Sequence, residues 1–333
     1  MANSDASVRL PAADVRQSLV PASVRRRLST VGPTYGALAA LVVLLVANAV
    51  LTPNFASAQS LWNIALQVST TVLVAIGMTL VMSTAGIDLS VGSVMALASV
   101  TATTLLPHGV PLAIVAALGV GLLVGLGNGA LVSGFKILPI IVTLATLIIG
   151  RGVAQVMVEG SATIAFSNPT FEALGKGHVG PVPAQVLLML VFLGIAGFLV
   201  QRTSFGRYLV SVGGNEAAAR LAGVRVRRIK IAVYVVCALL AALAGLIETA
   251  RLGASDAGKI GQGIELDAIA AAVVGGTPLT GGKASIGGTL IGALIMCVIT
   301  VSFNMHLVPY AWSLMLKATI ILIAVYVQRP KVA

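Results

Sequence analysis

Three acidic residues stand at places where this apolar sequence begins a membrane-crossing segment. Asp88 precedes the apolar run Leu89–Leu106, and Glu265 and Asp267 lie at the start of the run Ile264–Val274. A carboxylate beside apolar segments is costly unless water, a partner or a helix start stabilises it. Each of the three precedes or opens a helical segment, whose free N–H groups and positive dipole end favour a negative charge. Two interpretations remain open: these carboxylates cap helices, or they line or gate a polar pathway.

The apolar runs contain a modest number of side chains with hydroxyl or amide groups. In membranes such groups more often bridge helices than bind a solute, although they can also hydrogen-bond the hydroxyls of a sugar. Ionisable residues inside the runs are few, and Arg151, Glu248 and Lys317 each lie where they can snorkel or pair. This scarcity favours an uncharged polar solute moved by energy supplied from elsewhere. The candidates for the pathway or gate are Asp88, Ser90, Ser93, Asn128, Thr143, Glu265 and Asp267.

The stretch Gly275–Ala284, GGTPLTGGKA, imitates a nucleotide-binding loop but fails at both ends. Thr277 stands where the first glycine of G-x-x-x-x-G-K-[ST] belongs, and Ala284 replaces the hydroxyl residue that would contact Mg²⁺. No catalytic constellation is visible either, and the three histidines lack metal-ligand spacing. We therefore expect no catalytic residue, metal or cofactor in this chain.

The composition is that of a polytopic membrane protein. Of 333 residues, 58% are hydrophobic and only 9% are charged, whereas a soluble domain has about 25% charged residues. The net charge of +11 is explained by basic residues that gather in cytoplasmic loops. No interleaving of aromatic and basic residues accompanies them, so nucleic acid is not expected as a partner.

Ten apolar segments are predicted, most of them near the ~20 residues that cross a bilayer. The eighth is clearly short. A basic run before the first segment and Ala56-Ser57-Ala58 after it imitate a cleaved secretory signal, but its length favours an uncleaved span. The segments are Tyr35–Leu51, Leu61–Met82, Leu89–Leu106, Pro111–Gly134, Pro139–Val158, Ala184–Val200, Ile231–Ala250, Ile264–Val274, Ile286–Phe303 and Pro309–Val327.

The distribution of Lys and Arg predicts the orientation. With a cytoplasmic N-terminus, most of the 21 basic residues fall inside, which is the usual bias of membrane proteins. Residues 1–30 are then a flexible basic cytoplasmic tail, residues 31–333 form the transmembrane domain, and the loop 202–230 lies in the cytoplasm. Both termini are predicted to be cytoplasmic.

A faint internal repeat divides the chain into two halves. Gly86–Ser90, GIDLS, opens span three, and Gly263–Asp267, GIELD, opens span eight. Five spans separate the two pentads, so they would have inverted topology, as is usual in transporters. The predicted fold is all-α, with about ten transmembrane helices in two inverted five-helix halves and broken or short helices near spans three and eight.

The longest charged break in the interior is Gly213–Lys230, GGNEAAARLAGVRVRRIK. Asn215 is a good N-cap, Glu216–Ala222 contains strong helix formers, and Gly223 suits the position after a helix end. So short a helix is not stable alone in water. Either the loop anchors the neighbouring spans through its arginines, or it is the docking surface for a motor made on another polypeptide.

Four stretches closely resemble the permease subunits of carbohydrate-uptake ABC importers of the ribose, xylose, arabinose and galactofuranose type. They are GMTLVMSTAGIDLSVGSVMAL (Gly77–Leu97), NGALVSGFKILPIIVTLAT (Asn128–Thr146) with GRG (Gly150–Gly152), GGNEAAARLAGV (Gly213–Val224) and IELDAIAAAVVGGTPLTGGK (Ile264–Lys283). The resemblance covers about residues 35–327 and is most specific between Gly206 and Leu294.

The resemblance implies a bacterial inner-membrane assembly of two permeases, as identical copies or paralogues, and two ATPases. A soluble sugar-binding protein feeds it, ATP and Mg²⁺ belong to the ATPase, and membrane lipid surrounds the spans. The chain itself would pass a monosaccharide, a pentose or a hexose, inward. Gly223 stands seven places after Glu216, whereas many other ABC importers have this glycine six places after the glutamate. The ATPase-docking residues implied are Gly213, Gly214, Asn215, Glu216, Ala217, Ala218, Arg220, Leu221 and Gly223.

Two other classes remain as alternatives. An ion- or proton-coupled secondary transporter of a small polar solute would work without an ATPase, but would be expected to carry a chain of buried ionisable residues. An integral-membrane enzyme would need a catalytic constellation that the sequence lacks.

Overall fold

The computed structural model describes residues 22–158 and 163–328, and the side chains of 34–158, 163–309 and 311–326. Residues 1–21, most of the predicted basic tail, lie outside the described residues, while 22–30 belong to the first helix.

Helices dominate the described chain, which confirms the all-α polytopic fold. They are α1 (Ala22–Leu51), α2 (Ala58–Ser83), α3 (Val91–Leu105), α4 (Val110–Gly134), α5 (Pro139–Met157), α6 (Pro169–Lys176), α7 (Ala184–Arg202), α8 (Ser204–Gly214), α9 (Glu216–Leu221), α10 (Val226–Leu252), α11 (Ile264–Val274), α12 (Ile286–Met305) and α13 (Tyr310–Gln328). A 3₁₀ turn, Leu106–His108, follows α3.

Each of the ten predicted apolar segments coincides with one of these helices. Counting only residues whose side chains are described, eight are long and apolar enough to cross a membrane: α1, α2, α3 with its 3₁₀ turn, α4, α5, α7, α10 and α12. The predicted eighth segment, α11, has only 11 residues, as expected from the sequence. In α13, a helix of 19 residues, the side chains of Ala311–Tyr326 are described, and this stretch is apolar.

The core is formed around α2, α3, α10 and α12. Residues Val68–Ser83 of α2 are all buried, and α10 crosses close to α4 because glycines leave room for its backbone. A side-chain carbon at Gly125 would lie 2.7 Å from Cα of Val235, and one at Gly129 would lie 2.8 Å from Cα of Ile231. These two glycines therefore permit close packing of α4 against α10.

The outer helices expose large apolar side chains. Val43 of α1, Leu123 of α4, Ile148 of α5 and Leu322 of α13 are each between 65% and 71% exposed. Contiguous apolar surface of this kind is unfavourable in water and requires lipid or protein around it.

The beginnings of the two interrupted helices meet inside the fold. After α2 the chain turns through residues 84–90 before α3 begins at Val91, and after α10 it passes through β4 (Ala254–Asp256) before α11 begins at Ile264. Any side chain at Gly92 would overlap the carbonyl oxygen of Gly261. The two predicted pentads thus lie at a contact between the halves.

Short strands and α6 form a cap over one end of the helices. Strands β1 (Thr163–Ala165) and β4 pair antiparallel, as do β2 (His178–Val179) and β3 (Val182–Pro183). The Phe166 and Phe171 rings pack edge to face, with their centroids 5.3 Å apart. Residues 163–183 therefore pack on the helix ends.

Candidate functional site

The predicted charged loop contains a short, fully capped helix, α9. Its N-cap is Asn215, whose Oδ1 accepts a hydrogen bond of 2.9 Å from the Ala218 amide. Gly223 has a φ of +81°, which glycine adopts without strain after a helix end. The helix ends at Leu221, one residue earlier than predicted, because Ala222 has left the helical conformation. Gly213 and Gly214 are the last residues of α8, so the break falls at Asn215.

Glu216 fastens α9 to the start of α10. Its Oε1 accepts from Nη2 of Arg220 at 2.9 Å, and its Oε2 accepts from Nζ of Lys230 at 2.6 Å. Mainly because of the hydrogen bond from Lys230, the pKa of the Glu216 carboxyl is held below its usual range. The contact to Arg220 follows the usual i,i+4 spacing of a helix, but no sequence signal indicates the contact to Lys230.

One side of α9 is buried and the other is open. Ala219 packs with Val212 and Val226 in a small apolar cluster, whereas the Leu221 side chain is 91% exposed. Ala217 and Ala218 are exposed as well. The helix therefore presents a small apolar surface, flanked by Arg220, that the chain itself leaves uncovered.

The base of this loop is seated on two turns of the membrane-embedded part. A side-chain carbon at Gly213 would overlap the carbonyl oxygen of Ser83, at the end of α2, and would lie 2.6 Å from the amide nitrogen of Gly282. That amide also donates to the Ser83 carbonyl at 3.0 Å. The two turns also contact each other, since a carbon at Gly281 would lie 2.7 Å from the Ala85 nitrogen, and that carbon would lie 3.0 Å from the Gly213 carbonyl oxygen. The loop thus touches the turns that follow α2 and α11.

Three of the predicted pathway residues form a continuous hydrogen-bonded chain. Oγ1 of Thr146 donates to Oδ1 of Asn128 at 2.7 Å, and Nδ2 of Asn128 donates to Oγ of Ser90 at 2.9 Å. The Ser90 hydroxyl then donates to Oδ1 of Asp88 at 2.6 Å, and the Ser90 amide donates to the same oxygen at 3.0 Å. Asp88 therefore does bind the start of α3, and the chain links that start to α4 and α5. The sequence did not single out Thr146 for the site.

Ser93 and Thr143 belong to the same cluster. The Ser93 hydroxyl donates to the Ser90 carbonyl at 2.8 Å, and Thr143 donates to the carbonyls of Pro139 at 2.9 Å and Ile87 at 3.4 Å. Asp88, Ser90, Ser93, Asn128 and Thr143 are all at most 2% exposed. The structure thus brings five of the seven predicted residues together, in a closed rather than an open arrangement.

Within the described residues, Glu265 and Asp267 form no hydrogen bond with this cluster, and their contacts differ from each other. Glu265 reaches the start of α3, where its Oε2 is 2.7 Å from the position of a side-chain carbon at Gly92. Both carboxylate oxygens of Asp267 instead accept from Nζ of Lys317 in α13, at 2.8 Å and 2.9 Å. The Lys317 side chain is only 5% exposed, so this is a buried pair that joins α11 to α13.

Arg151 of α5 holds the two interrupted helices at their meeting point. Its Nη1 donates to the carbonyls of Ala257 at 2.9 Å and Ile260 at 2.7 Å, and its Nη2 donates to the carbonyl of Gly92 at 3.2 Å. One guanidinium therefore bridges the start of α3 and the segment that leads into α11.

Similar proteins are sugar permeases from bacteria. Residues 60–325 match the family model described as branched-chain amino acid transport system / permease component. The chain is 42% identical over 299 residues to the ribose import permease protein RbsC of Escherichia coli K12, covering 88% of this chain and 93% of that protein. It is 36% identical over 307 residues to the galactofuranose transporter permease protein YtfT of the same organism, covering 87% and 88%. It is 34% identical over 313 residues to the L-arabinose ABC transporter permease protein AraH of Azospirillum brasilense, covering 92% and 91%. No solved structure matches the chain.

Proposed function

This chain belongs to the ribose-type family of sugar import permeases of ABC transporters, and on that premise we propose that it passes a monosaccharide inward by alternating access. A permease subunit of this kind is a membrane component and not itself an enzyme. ATP and Mg²⁺ bind to a separate ATPase subunit, which docks on the exposed side of α9. A soluble sugar-binding protein delivers the sugar, and a second permease, identical or related, completes the assembly.

The close contact of the Gly213 backbone with Ser83 and Gly282 is the main support for this proposal. The loop that would receive the ATPase touches the end of α2 and the turn after α11 through backbone atoms, without an intervening flexible side chain. A displacement of α9 would therefore move the turns that lead into α3 and α12. Packed elements of this kind shift between discrete arrangements, as alternating access requires.

The orientation follows from the charges around the loop. Arg220, Arg225, Arg227, Arg228 and Lys230 lie within or just after α9, and basic residues of short loops favour the cytoplasm. We place α9, together with both termini, on the cytoplasmic side of the bacterial inner membrane, where ATP is available.

The buried polar cluster is our candidate for a gate. In the closed arrangement its polar side chains form hydrogen bonds with one another, from Thr146 through Asn128 and Ser90 to Asp88. If α3 moves, the same groups become free to bind sugar hydroxyls. The similar proteins are named for pentoses and a hexofuranose, so the sugar is a pentose or a hexose.

The experiment compares sugar uptake with ATPase binding. The permease is reconstituted with its ATPase and binding protein, and uptake of ribose, arabinose and galactofuranose is measured with and without ATP. Glu216→Arg combined with Arg220→Glu should weaken ATPase association and abolish uptake while the spans stay folded. Because Arg at position 216 would face Lys230, the charge change also loosens the loop from α10.

Arg202→Glu is the matched control, because it changes a charge in the same loop region outside α9. Full uptake by the Glu216→Arg/Arg220→Glu variant would overturn the docking role of α9. Uptake by the permease alone, driven by an ion gradient, would instead identify a secondary transporter.

A further inference from the structure

A basic cleft lies beside α9, between the α4–α5 turn and the start of α10. Its volume is about 440 Å³, and its lining includes five cationic side chains and no carboxylate. Lys136 comes from the α4–α5 turn, Arg220 from α9, and Arg225, Arg227 and Arg228 from the start of α10.

Most of this charge is not neutralised by the chain. Arg220 is paired with Glu216, but the other four side chains are exposed and form no ion pair within the described part of the chain. In addition, no side chain caps the 27-residue helix α10, whose N-cap is Arg225. The free N–H groups and the positive end of this long helix attract an anion in the same place.

Apolar side chains near Lys136 in the sequence are exposed at the end of α4 and the start of α5. Phe135 and Leu138, which flank Lys136 closely in sequence, are 75% and 66% exposed, and Ile141 in the first turn of α5 is 57% exposed. These side chains continue the exposed apolar surface of the two helices. A ligand with a phosphate group and hydrocarbon chains matches this combination, whereas an acidic protein surface would leave these apolar side chains uncovered.

We propose that this cleft binds the phosphate group of an anionic phospholipid in the leaflet next to α9. The acyl chains lie along α4 and α5, and Lys136 and Arg227 contact the phosphate. Since α9 borders the cleft through Arg220, the bound lipid supports the loop from the membrane side and leaves its outer surface free. The site is independent of the sugar pathway and goes beyond the proposed function.

Native mass spectrometry of the full-length permease in detergent tests the site. The probes are phosphatidylglycerol and phosphatidylcholine of equal chain length, with inorganic phosphate as a competitor. The parent should retain phosphatidylglycerol in preference to phosphatidylcholine. Lys136→Asn and Arg227→Gln should each weaken phosphatidylglycerol binding about fivefold, and together about 25-fold. Asn is chosen because Lys136 has a φ of +56°, which Asn tolerates.

Arg202→Gln, which removes a cation outside the cleft, should leave phosphatidylglycerol binding unchanged. If the double variant does not fold, the exposed single variant Lys136→Asn decides alone. Unchanged phosphatidylglycerol binding in the folded variants would overturn the proposal, and so would equal retention of the two lipids. Displacement by inorganic phosphate at equal concentration would mean that the cleft takes a free anion only. Loss of ATPase association with intact lipid binding would assign the cleft to the protein partner.

Discussion

At the scale of single residues, the ion pair between Asp267 and Lys317 offers the clearest energetic test. Lys317→Met leaves the Asp267 carboxylate without its cation, and removing one partner of a buried pair costs about 3–5 kcal/mol. We expect the lower end, because the Asp267 side chain is 23% exposed. The free energy of unfolding in mixed micelles measures this loss.

The double variant Lys317→Met/Asp267→Asn is the control for that prediction. It removes both charges and retains similar volumes, so most of the lost stability should return. If the double variant is as unstable as Lys317→Met alone, the single loss reflects packing of the long side chain and not the charge.

Residue-scale prediction from sequence succeeded where the interaction is local. The Asn215 cap and the glycine after α9 follow from rules that involve neighbours within a few positions. The partner of Lys317 lies 50 residues away, and Arg151 reaches carbonyls more than 100 residues away. The sequence indicated only that both cations could snorkel or pair, since no local spacing specifies which atoms meet in the folded chain.

At the scale of elements, a substitution at the contact of α8 with α2 distinguishes binding of the ATPase from the coupling of that binding to sugar transport. Gly213→Ala places a methyl group against the Ser83 carbonyl oxygen, so α8 must move away from the turn. We expect the ATPase to bind with nearly unchanged affinity, because α9 keeps its exposed side. Sugar uptake, and the stimulation of ATP hydrolysis by the sugar, should fall at least tenfold, which corresponds to about 1.4 kcal/mol in the activation barrier.

Gly214→Ala is a matched control for this element. It makes the same substitution one residue later in α8, where nothing lies within 4 Å of the added carbon. Because Gly214 is also one of the docking residues that the resemblance implies, ATPase affinity is measured beside uptake, and both should remain at the parent level. Equal losses in the two variants would show that helix-end conformation, and not the contact with Ser83, causes the effect.

The long apolar helices could be predicted from the sequence, and so could the short α9 and α11, but α8 and the strands could not. Apolar runs of about 20 residues can be recognised from composition alone, and the ten predicted segments all coincide with helices. By contrast, α8 has a mixed composition, and the two-residue strands depend on pairing with distant segments. The sequence also assigned the basic residues 225–230 to a loop, whereas α10 already begins at Val226.

At the scale of the whole molecule, the relation between the halves is only partly visible in the sequence. The two pentads indicated that Asp88 and Glu265 occupy equivalent places, but not that the helices they open are in contact. The contact depends on glycines at 92 and 261 that permit backbone to touch backbone. The gating role of these residues remains a prediction, to which the Arg151 bridge gives a direct test.

Arg151→Gln removes the guanidinium that joins α5, the start of α3 and the segment before α11. Hydrogen bonds from a charged donor contribute about 1.5–3 kcal/mol each, so losing the bonds to Ala257 and Ile260 should cost about 3 kcal/mol or more locally. Amide exchange in residues 257–263 should then accelerate by about 100-fold, as followed by mass spectrometry. Lys259→Gln changes a residue of the same segment whose side chain is 85% exposed, and should leave exchange unchanged.

Arg151→Lys shows whether charge or geometry matters at this bridge. A single ammonium presents three donors at one point and cannot span carbonyls on both sides as the planar guanidinium does. We therefore expect exchange close to that of Arg151→Gln, together with reduced uptake, because the halves no longer move as joined bodies. If Arg151→Lys restores slow exchange, positive charge at this position is what holds the segment, and the bridge between the halves is electrostatic rather than geometric.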